Sequence, residues 1–117
     1  MPHCIVEYSI GLEPELLMAA VVSECRNSGL FSSDGGDIKA RAIGYARFSL
    51  AEAEHFAHVQ IRMLSGRTIA QKAMLSECVR ERIFYAMNRS CSVSVEIVDM
   101  CRETYAKSLC SQQDADA

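Results

Sequence analysis

The chain has 117 residues, enough for one domain with a hydrophobic core. Half of the residues are apolar and 23% are charged, as in an ordinary globular protein. The net charge is −3 and the Lys and Arg residues are scattered, which argues against a nucleic-acid-binding protein. The longest apolar run, Leu16 to Val22, is too short to span a bilayer. The residues before it are acidic where an export signal needs positive charge, so we expect a cytoplasmic protein.

The first strand is predicted over residues 3–9, because β-branched and aromatic residues are grouped there. Pro2 stands directly before it and has two interpretations. It could simply begin the strand, where the missing N–H costs nothing. If Met1 were removed, its nitrogen would instead be a free secondary amine, able to accept and donate protons. Pro2 is therefore a candidate catalytic residue, and the dipeptide alone does not decide between these interpretations.

The next elements are a helix, a loop and a second strand. Pro14 suits the first turn of a helix that we expect to run to about Cys25, and Asn27-Ser28-Gly29 is a typical helix end. Gly- and Ser-rich residues 31–37 predict a loop. Residues 38–48 then predict a strand with apolar side chains on one face and Lys39 and Arg41 on the other. Residues 49–54 give no clear prediction.

The second half shows clearer periodicity. Residues 56–64 alternate between apolar and polar side chains, which predicts a half-buried strand. Thr68 and Gln71 have the spacing of a capping box, and the helix that follows is expected to end near Asn88. Residues 93–97 alternate again and predict the last strand. The chain after Met100 has some helical character and a polar end that we expect to be frayed.

The predicted order is β-α-β twice, and it favours an α+β fold. We expect a single domain over 1–117, made of two β-α-β units at about 2–48 and 55–99 and a C-terminal tail at 100–117. The simplest arrangement is one four-stranded mixed sheet with both helices on one face. The other face would need a partner, which indicates a symmetric oligomer.

The six cysteines do not form a metal-binding pattern, because no C-x-x-C pair occurs. We expect them to be small buried residues in a reducing compartment, with Cys110 the exposed one. His55 and His58 are three residues apart on a strand and so point to opposite faces, which does not suit a shared metal. His3 could line a site or could simply pack. No phosphate loop and no serine hydrolase motif appear.

Two arginines are candidate anion-binding residues. Arg67 lies at the turn before the second helix, beside free N–H groups that suit a carboxylate. It could equally be a solvated turn residue. Arg41 lies in the second strand, where the ordinary alternative is a surface ion pair.

Several segments together resemble the 5-carboxymethyl-2-hydroxymuconate isomerases of the tautomerase superfamily. The resemblance begins with Pro2-His3-Cys4-Ile5-Val6-Glu7-Tyr8-Ser9 and covers about residues 2–99. It continues in the segments Arg41-Ala42-Ile43, Phe56-Ala57-His58-Val59, Ser65-Gly66-Arg67-Thr68 and Ser94-Val95-Glu96-Ile97. Residues 49–54 and the tail after Met100 depart from the family pattern.

The resemblance implies a homotrimer with a tautomerase-like fold and no cofactor, and the spacing of the cysteines and histidines predicts no metal site. It implies that Pro2, exposed by removal of Met1, is the catalytic base, and that Arg41 and Arg67 bind the carboxylates of the substrate. His3 is a possible pocket residue. The implied reaction is ketonisation of a 2-hydroxymuconate-type dicarboxylate in aromatic-compound catabolism. Two alternatives stay open: another tautomerisation or a hydration at the same Pro2, and a non-catalytic oligomeric module.

Overall fold

The computed structural model describes residues 1–32 and 34–111 of the chain. Its elements follow the predicted order and are β1 (His3–Ser9), α1 (Pro14–Asn27), β2 (Lys39–Tyr45), β3 (His55–Leu64), α2 (Ile69–Ala86) and β4 (Cys91–Met100). In this part of the chain no helix is long and apolar enough to cross a membrane.

The four strands form one mixed sheet in the order β2-β1-β3-β4. β1 pairs with β2 in parallel, β3 pairs with β4 in parallel, and β1 and β3 meet antiparallel at the centre. Each β-α-β unit therefore supplies one parallel pair, and the units join through their first strands. The predicted α+β fold with a four-stranded mixed sheet is confirmed.

The hydrophobic core lies between the sheet and the two helices. Alternate residues of β3 are buried, and they pack with Cys4 and Val6 of β1 against apolar residues of the helices, chiefly Leu17, Val21, Leu75, Val79 and Ile83. The alternation that predicted β3 as half-buried is therefore confirmed. The other side chains of each strand lie on the opposite side of the sheet, called the open face below because no helix of the described residues covers it.

The helix ends agree with the sequence signals. α1 has Pro14 in its first turn and ends at Asn27, and Gly29 follows with a φ of +74°, a conformation that glycine adopts without strain. At α2, Gln71 N donates to Thr68 Oγ1 at 3.1 Å and Thr68 N donates to Gln71 Oε1 at 2.8 Å. The predicted capping box is confirmed.

Several boundaries differ from the prediction. β2 ends at Tyr45 instead of Phe48, because Tyr45 pairs with Ser9, the last residue of β1. β4 is longer than residues 93–97, because it pairs along the whole of β3. α2 ends at Ala86 instead of near Asn88, since Met87 is extended. After β4 there is a single turn, in which Tyr105 N donates to the Cys101 carbonyl at 3.1 Å. The polar end predicted to fray lies, from residue 112 on, outside the described residues.

The prediction that the cysteines other than Cys110 are buried is wrong for Cys78 and Cys101, whereas Cys110 is exposed as predicted. Cys4 and Cys25 are buried in the core, with their sulfur atoms 3.8 Å apart, and Cys91 is half-buried. Cys78 and Cys101 are exposed, as Cys110 is, because Cys78 lies on the outer side of α2 and Cys101 follows the last strand.

Candidate active site

Pro2 lies at the end of the sheet where β1 begins. Its side chain is fully buried, and its carbonyl accepts a hydrogen bond of 3.1 Å from Lys39 N. This bond extends the β1–β2 ladder by one residue and fixes Pro2 against the edge strand. Met1 lies next to it, with its ammonium group 2.9 Å from Asp37 Oδ2 and its sulfur 3.2 Å from Lys39 Nζ. With Met1 attached, the Pro2 nitrogen is an amide.

Pro2, Arg41 and Arg67 lie towards the same end of the sheet. β2 runs parallel to β1, so Arg41, its third residue, lies near the end where both strands begin. β3 runs antiparallel to β1, so the turn after Leu64 that contains Arg67 also lies at this end. The sheet topology therefore places three residues that are far apart in sequence towards the same end of the sheet.

Arg41 is exposed on the open face and has no carboxylate partner within ion-pair distance among residues 1–32 and 34–111. Its Nη1 atom lies instead 3.3 Å from Nδ1 of His3, its neighbour across the strand pair. The surface ion pair that was the ordinary alternative for Arg41 is not present in that part of the chain. Its guanidinium group therefore has N–H donors that no carboxylate of the described residues engages.

His3 lies between two partners that define its protonation. A guanidinium group can only donate hydrogen bonds, so Nδ1 of His3 must accept from Arg41. The other ring nitrogen, Nε2, lies 2.9 Å from the Tyr105 hydroxyl. Burial, and then the positive charge of Arg41, lower the pKa of His3 below its usual value. We therefore assign His3 as a neutral ring that donates from Nε2 to Tyr105 and leaves the tyrosine proton available.

Arg67 is half-buried and joins two loops. Its Nη1 donates to the carbonyl of Leu64 at 3.3 Å, and its Nη2 donates to the carbonyl of Leu30 in the loop after α1. Its guanidinium carbon also lies 5.5 Å from the centre of the Phe31 ring, a cation–π distance. Arg67 is therefore held rigidly, and a guanidinium has five N–H donors, so others remain for an anion.

Comparison with known proteins identifies the family. The family model described as 5-carboxymethyl-2-hydroxymuconate isomerase matches residues 2–109, nearly the whole chain. The chain belongs to this family. It is accordingly an isomerase, and the recognition made from the short segments is confirmed. A search of curated proteins gives no match.

Solved structures share the fold of this isomerase. A 5-carboxymethyl-2-hydroxymuconate isomerase from Deinococcus radiodurans R1 is 23% identical, with a TM-score of 0.68 over 92% of this chain and 88% of that one. A 5-carboxymethyl-2-hydroxymuconate delta-isomerase is 17% identical, with a TM-score of 0.67 over 93% and 88%. A fused 4-OT symmetric trimer is 19% identical, with a TM-score of 0.73 over 91% of each chain. The fold is that of the tautomerases.

Four further polar or charged residues contact or flank Met1 and His3 in the structure of this isomerase. Asp37 contacts Met1, Tyr105 contacts His3, and Lys39 and Arg62 flank His3 on the neighbouring strands. Lys39 and Arg62 each occupy a polar position in the alternating pattern of their strand, and this pattern is visible in the sequence. It could be used only once the order and register of the strands were known.

A cavity of about 250 Å³ lies on the helix side, between α1 and α2, and its lining includes Leu30, Gln71 and Met74. Pro2, Arg41 and Arg67 are absent from its lining. The three predicted site residues therefore do not line this cavity, although Arg67 borders it through its hydrogen bond to Leu30.

Proposed function

We propose that this isomerase ketonises 2-hydroxymuconate-type unsaturated acids, including 5-carboxymethyl-2-hydroxymuconate, without a cofactor and with Pro2 as the proton shuttle. The observation that supports this most strongly is the family match, which begins at residue 2 and runs to residue 109. The positive charge near Pro2 and the rigid attachment of Arg67 are in keeping with a substrate that bears several carboxylates.

The proposed reaction needs one group that takes a proton and returns it. Removal of Met1 leaves Pro2 with a secondary amine at the chain terminus. In its neutral form this amine accepts the proton of the substrate's 2-hydroxyl group, and the ammonium then gives a proton to a carbon of the conjugated chain. The enol becomes a ketone, one C–H bond replaces one O–H bond, and no atom is gained or lost.

The neutral amine is favoured by the surroundings of Pro2. A free α-amino group has a pKa near about 8, and nearby cations lower it because they disfavour the ammonium form. Arg41, Lys39 and Arg67 supply positive charge towards this end of the sheet. In the proposed mechanism Arg41 and Arg67 also bind the substrate carboxylates, for which the guanidinium fork is suited.

We further propose that the isomerase is a homotrimer in which the open face of each sheet is covered by neighbouring copies. A symmetric trimer among the structures of this fold supports this assembly. So does the open face, since no helix of the described residues covers it. Light scattering after gel filtration tests it, and we expect three times the chain mass.

The catalytic proposal is tested by ultraviolet assays of ketonisation with 2-hydroxymuconate and 5-carboxymethyl-2-hydroxymuconate. Pro2→Ala is the informative variant, because alanine also permits removal of Met1 and so leaves a free primary amine. We expect a loss of at least about 100-fold in kcat/KM, the lower range for general acid–base catalysis, with the oligomer intact. Intact mass shows whether Met1 is absent from both proteins. Wild-type rates in the variant would show that the secondary amine of Pro2 is not required for catalysis.

A further inference from the structure

The cavity of about 250 Å³ between the two helices lies where α1 stops. α1 ends at Asn27, and the chain turns away at Gly29 with a φ of +74°. The first turns of α2 therefore face the loop after α1, in place of another helical turn, and a gap is left between them. This gap is on the helix side of the sheet, opposite to the open face that the proposed trimer covers.

Apolar side chains supply much of the cavity lining. Leu75 is buried, Leu30 is half-buried, and Met74 is 70% exposed, although its long flexible side chain could pack against a ligand. Protein interiors are otherwise close-packed, so the side chains around a gap lack dispersion contacts that a bound molecule restores. A cavity of about 150 Å³ can hold a benzene ring, so this one has room for a ring with a short substituent.

Two side-chain amides of the lining have hydrogen-bonding groups to offer. Gln71 accepts from Thr68 N through Oε1 at 2.8 Å, which leaves its NH₂ group available to donate. The side chain of Asn27 has no hydrogen-bond partner among the residues that the structure describes. A hydroxyl group on a bound ring can accept from Gln71 and also donate to the Asn27 oxygen, whereas a ketone or an ether can only accept.

The charge of the lining does not suit the carboxylates of the proposed substrate. Glu24 is the only charged residue among the described residues that line the cavity, and its Oε1 lies 3.1 Å from Nη1 of Arg82. Because no lining residue supplies a positive charge, an anion would lose its hydration without gaining a charged partner. The cavity therefore suits an uncharged molecule, which distinguishes it from the candidate active site.

We propose that this cavity binds an uncharged, ring-sized molecule with one hydroxyl group, and that the bound molecule restricts the motion of Arg67. Leu30 joins the two places, since its side chain lines the cavity and its carbonyl accepts from Nη2 of Arg67. The ring of Phe31, the next residue, lies 5.5 Å from the Arg67 guanidinium carbon. A ligand packed against Leu30 restricts this loop and therefore Arg67. The effect on catalysis rests on the proposed function, in which Arg67 binds a substrate carboxylate.

Cys78 reports binding without turnover, because this exposed thiol also lines the cavity. The probe is benzyl alcohol, and peptide mass spectrometry measures how fast iodoacetamide alkylates each cysteine. We expect about 10 mM probe to slow alkylation of Cys78 by about threefold or more, with no change at the exposed Cys110. Benzoate, the matched anion, should give no protection. An unchanged rate at Cys78, equal slowing at Cys110, or equal protection by benzoate would overturn the proposed site.

Substitutions of the two amides test the hydrogen bonds. Asn27→Ala removes one amide, and Gln71→Glu keeps the capping oxygen but removes the NH₂ group. The matched control is Asn88→Ala, which removes an exposed amide beyond the other end of α2. We expect the first two variants to need about three- to tenfold more benzyl alcohol to protect Cys78, and the control to match the wild type. Toluene lacks the hydroxyl and should protect all four proteins equally. Equal weakening of both probes would overturn the role of the hydroxyl.

Steady-state kinetics measure the link to Arg67. Saturating benzyl alcohol should lower the KM for 2-hydroxymuconate by about fivefold or more, the lower end for coupled sites, and Asn27→Ala should show a smaller decrease at the same concentration. Protection of Cys78 with an unchanged KM would overturn the link. If neither muconate is ketonised while Cys78 is protected, the proposed function fails and the cavity site stands. If ketonisation occurs and benzyl alcohol changes neither the Cys78 rate nor KM, the cavity site fails alone.

Discussion

The ammonium nitrogen of Met1 lies 2.9 Å from the carboxylate of Asp37. Asp37 therefore contacts the residue that directly precedes Pro2. The nitrogen of Pro2 becomes the terminal amine when Met1 is removed. A carboxylate stabilises an ammonium group, so Asp37 opposes the effect of the nearby cations on the proposed base. Because the carboxylate and the cations act in opposite directions on the pKa of this amine, substitution of Asp37 should shift that pKa in a direction that can be predicted.

In the mature protein, Asp37→Asn is expected to lower the pKa of the Pro2 amine. Loss of the negative charge disfavours the ammonium form, so the amine stays neutral to lower pH. The acidic limb of the kcat/KM profile should then move down by about 0.5 to 1 pH unit, the size of one partly screened charge interaction at this range.

Asp34→Asn is the matched control for this shift. Asp34 lies in the same loop, accepts from Gly36 N at 2.8 Å and from the Ser32 hydroxyl at 2.9 Å, and does not touch Met1. Both variants disturb the loop, while only Asp37→Asn removes the charge beside the N-terminus. An upward shift, or the same shift in both variants, would show that Asp37 does not act on the base.

Arg67 is expected to have a structural and a binding role that substitution can separate. Arg67→Ala removes the hydrogen bonds to the carbonyls of Leu30 and Leu64, and the free energy of unfolding should fall by about 1 to 3 kcal/mol. Arg67→Lys retains the charge without the fork. We expect both variants to raise KM more than they lower kcat, with alanine the more severe, in steady-state kinetics and urea unfolding. An unchanged KM in Arg67→Ala would remove Arg67 from the site.

Much of the fold could be predicted from local pattern alone. The period-two alternation of residues 56–64 and the Thr68–Gln71 spacing each depend on neighbours in sequence, and both features are present in the structure. The ends of β2 and β4 could not be predicted, because a strand continues only as far as its partner does. β2 stops with Ser9 of β1, and β4 extends along all of β3.

Some residues of the candidate site could also be predicted from local sequence patterns, and others could not. Pro2 and Arg67 have local signals, a proline before a strand and an arginine at a helix start. That Lys39 and Arg62 flank His3 could not be predicted from the alternation in their strands alone, because it depends on two strand registers, one parallel and one antiparallel. The hydrogen bond between Arg67 and Leu30, in the loop after α1, joins residues that are 37 positions apart in sequence. No periodic pattern in the sequence predicts such a contact.

The cysteines are expected to react in a defined order. Cys4 and Cys25 are fully buried and should be protected from a thiol reagent until the protein unfolds. Burial raises the pKa of Cys91, which should react slowly. Cys101 is exposed, and the hydrogen bond from Thr104 lowers the pKa of its thiol, so it has more of the reactive thiolate at neutral pH.

Stopped-flow titration with a chromogenic disulfide measures these rates, and Cys101→Ser identifies the fast phase. Loss of the fast phase in Cys78→Ser instead, or its persistence in Cys101→Ser, would contradict the assignment.

Thr68→Ala should destabilise the isomerase without changing its chemistry. Thr68 accepts from Gln71 N at the start of α2, and loss of such a cap costs about 1 kcal/mol. Thr68→Ser retains the hydroxyl and is the control, and it should unfold close to the wild type in urea. Because the cap directly follows Arg67, a variant that also raises KM would show that the first turn of α2 helps to position that arginine. Equal stability in Thr68→Ala and Thr68→Ser would mean that the packing of Leu75, Val79 and Ile83, rather than the cap, determines the stability of α2.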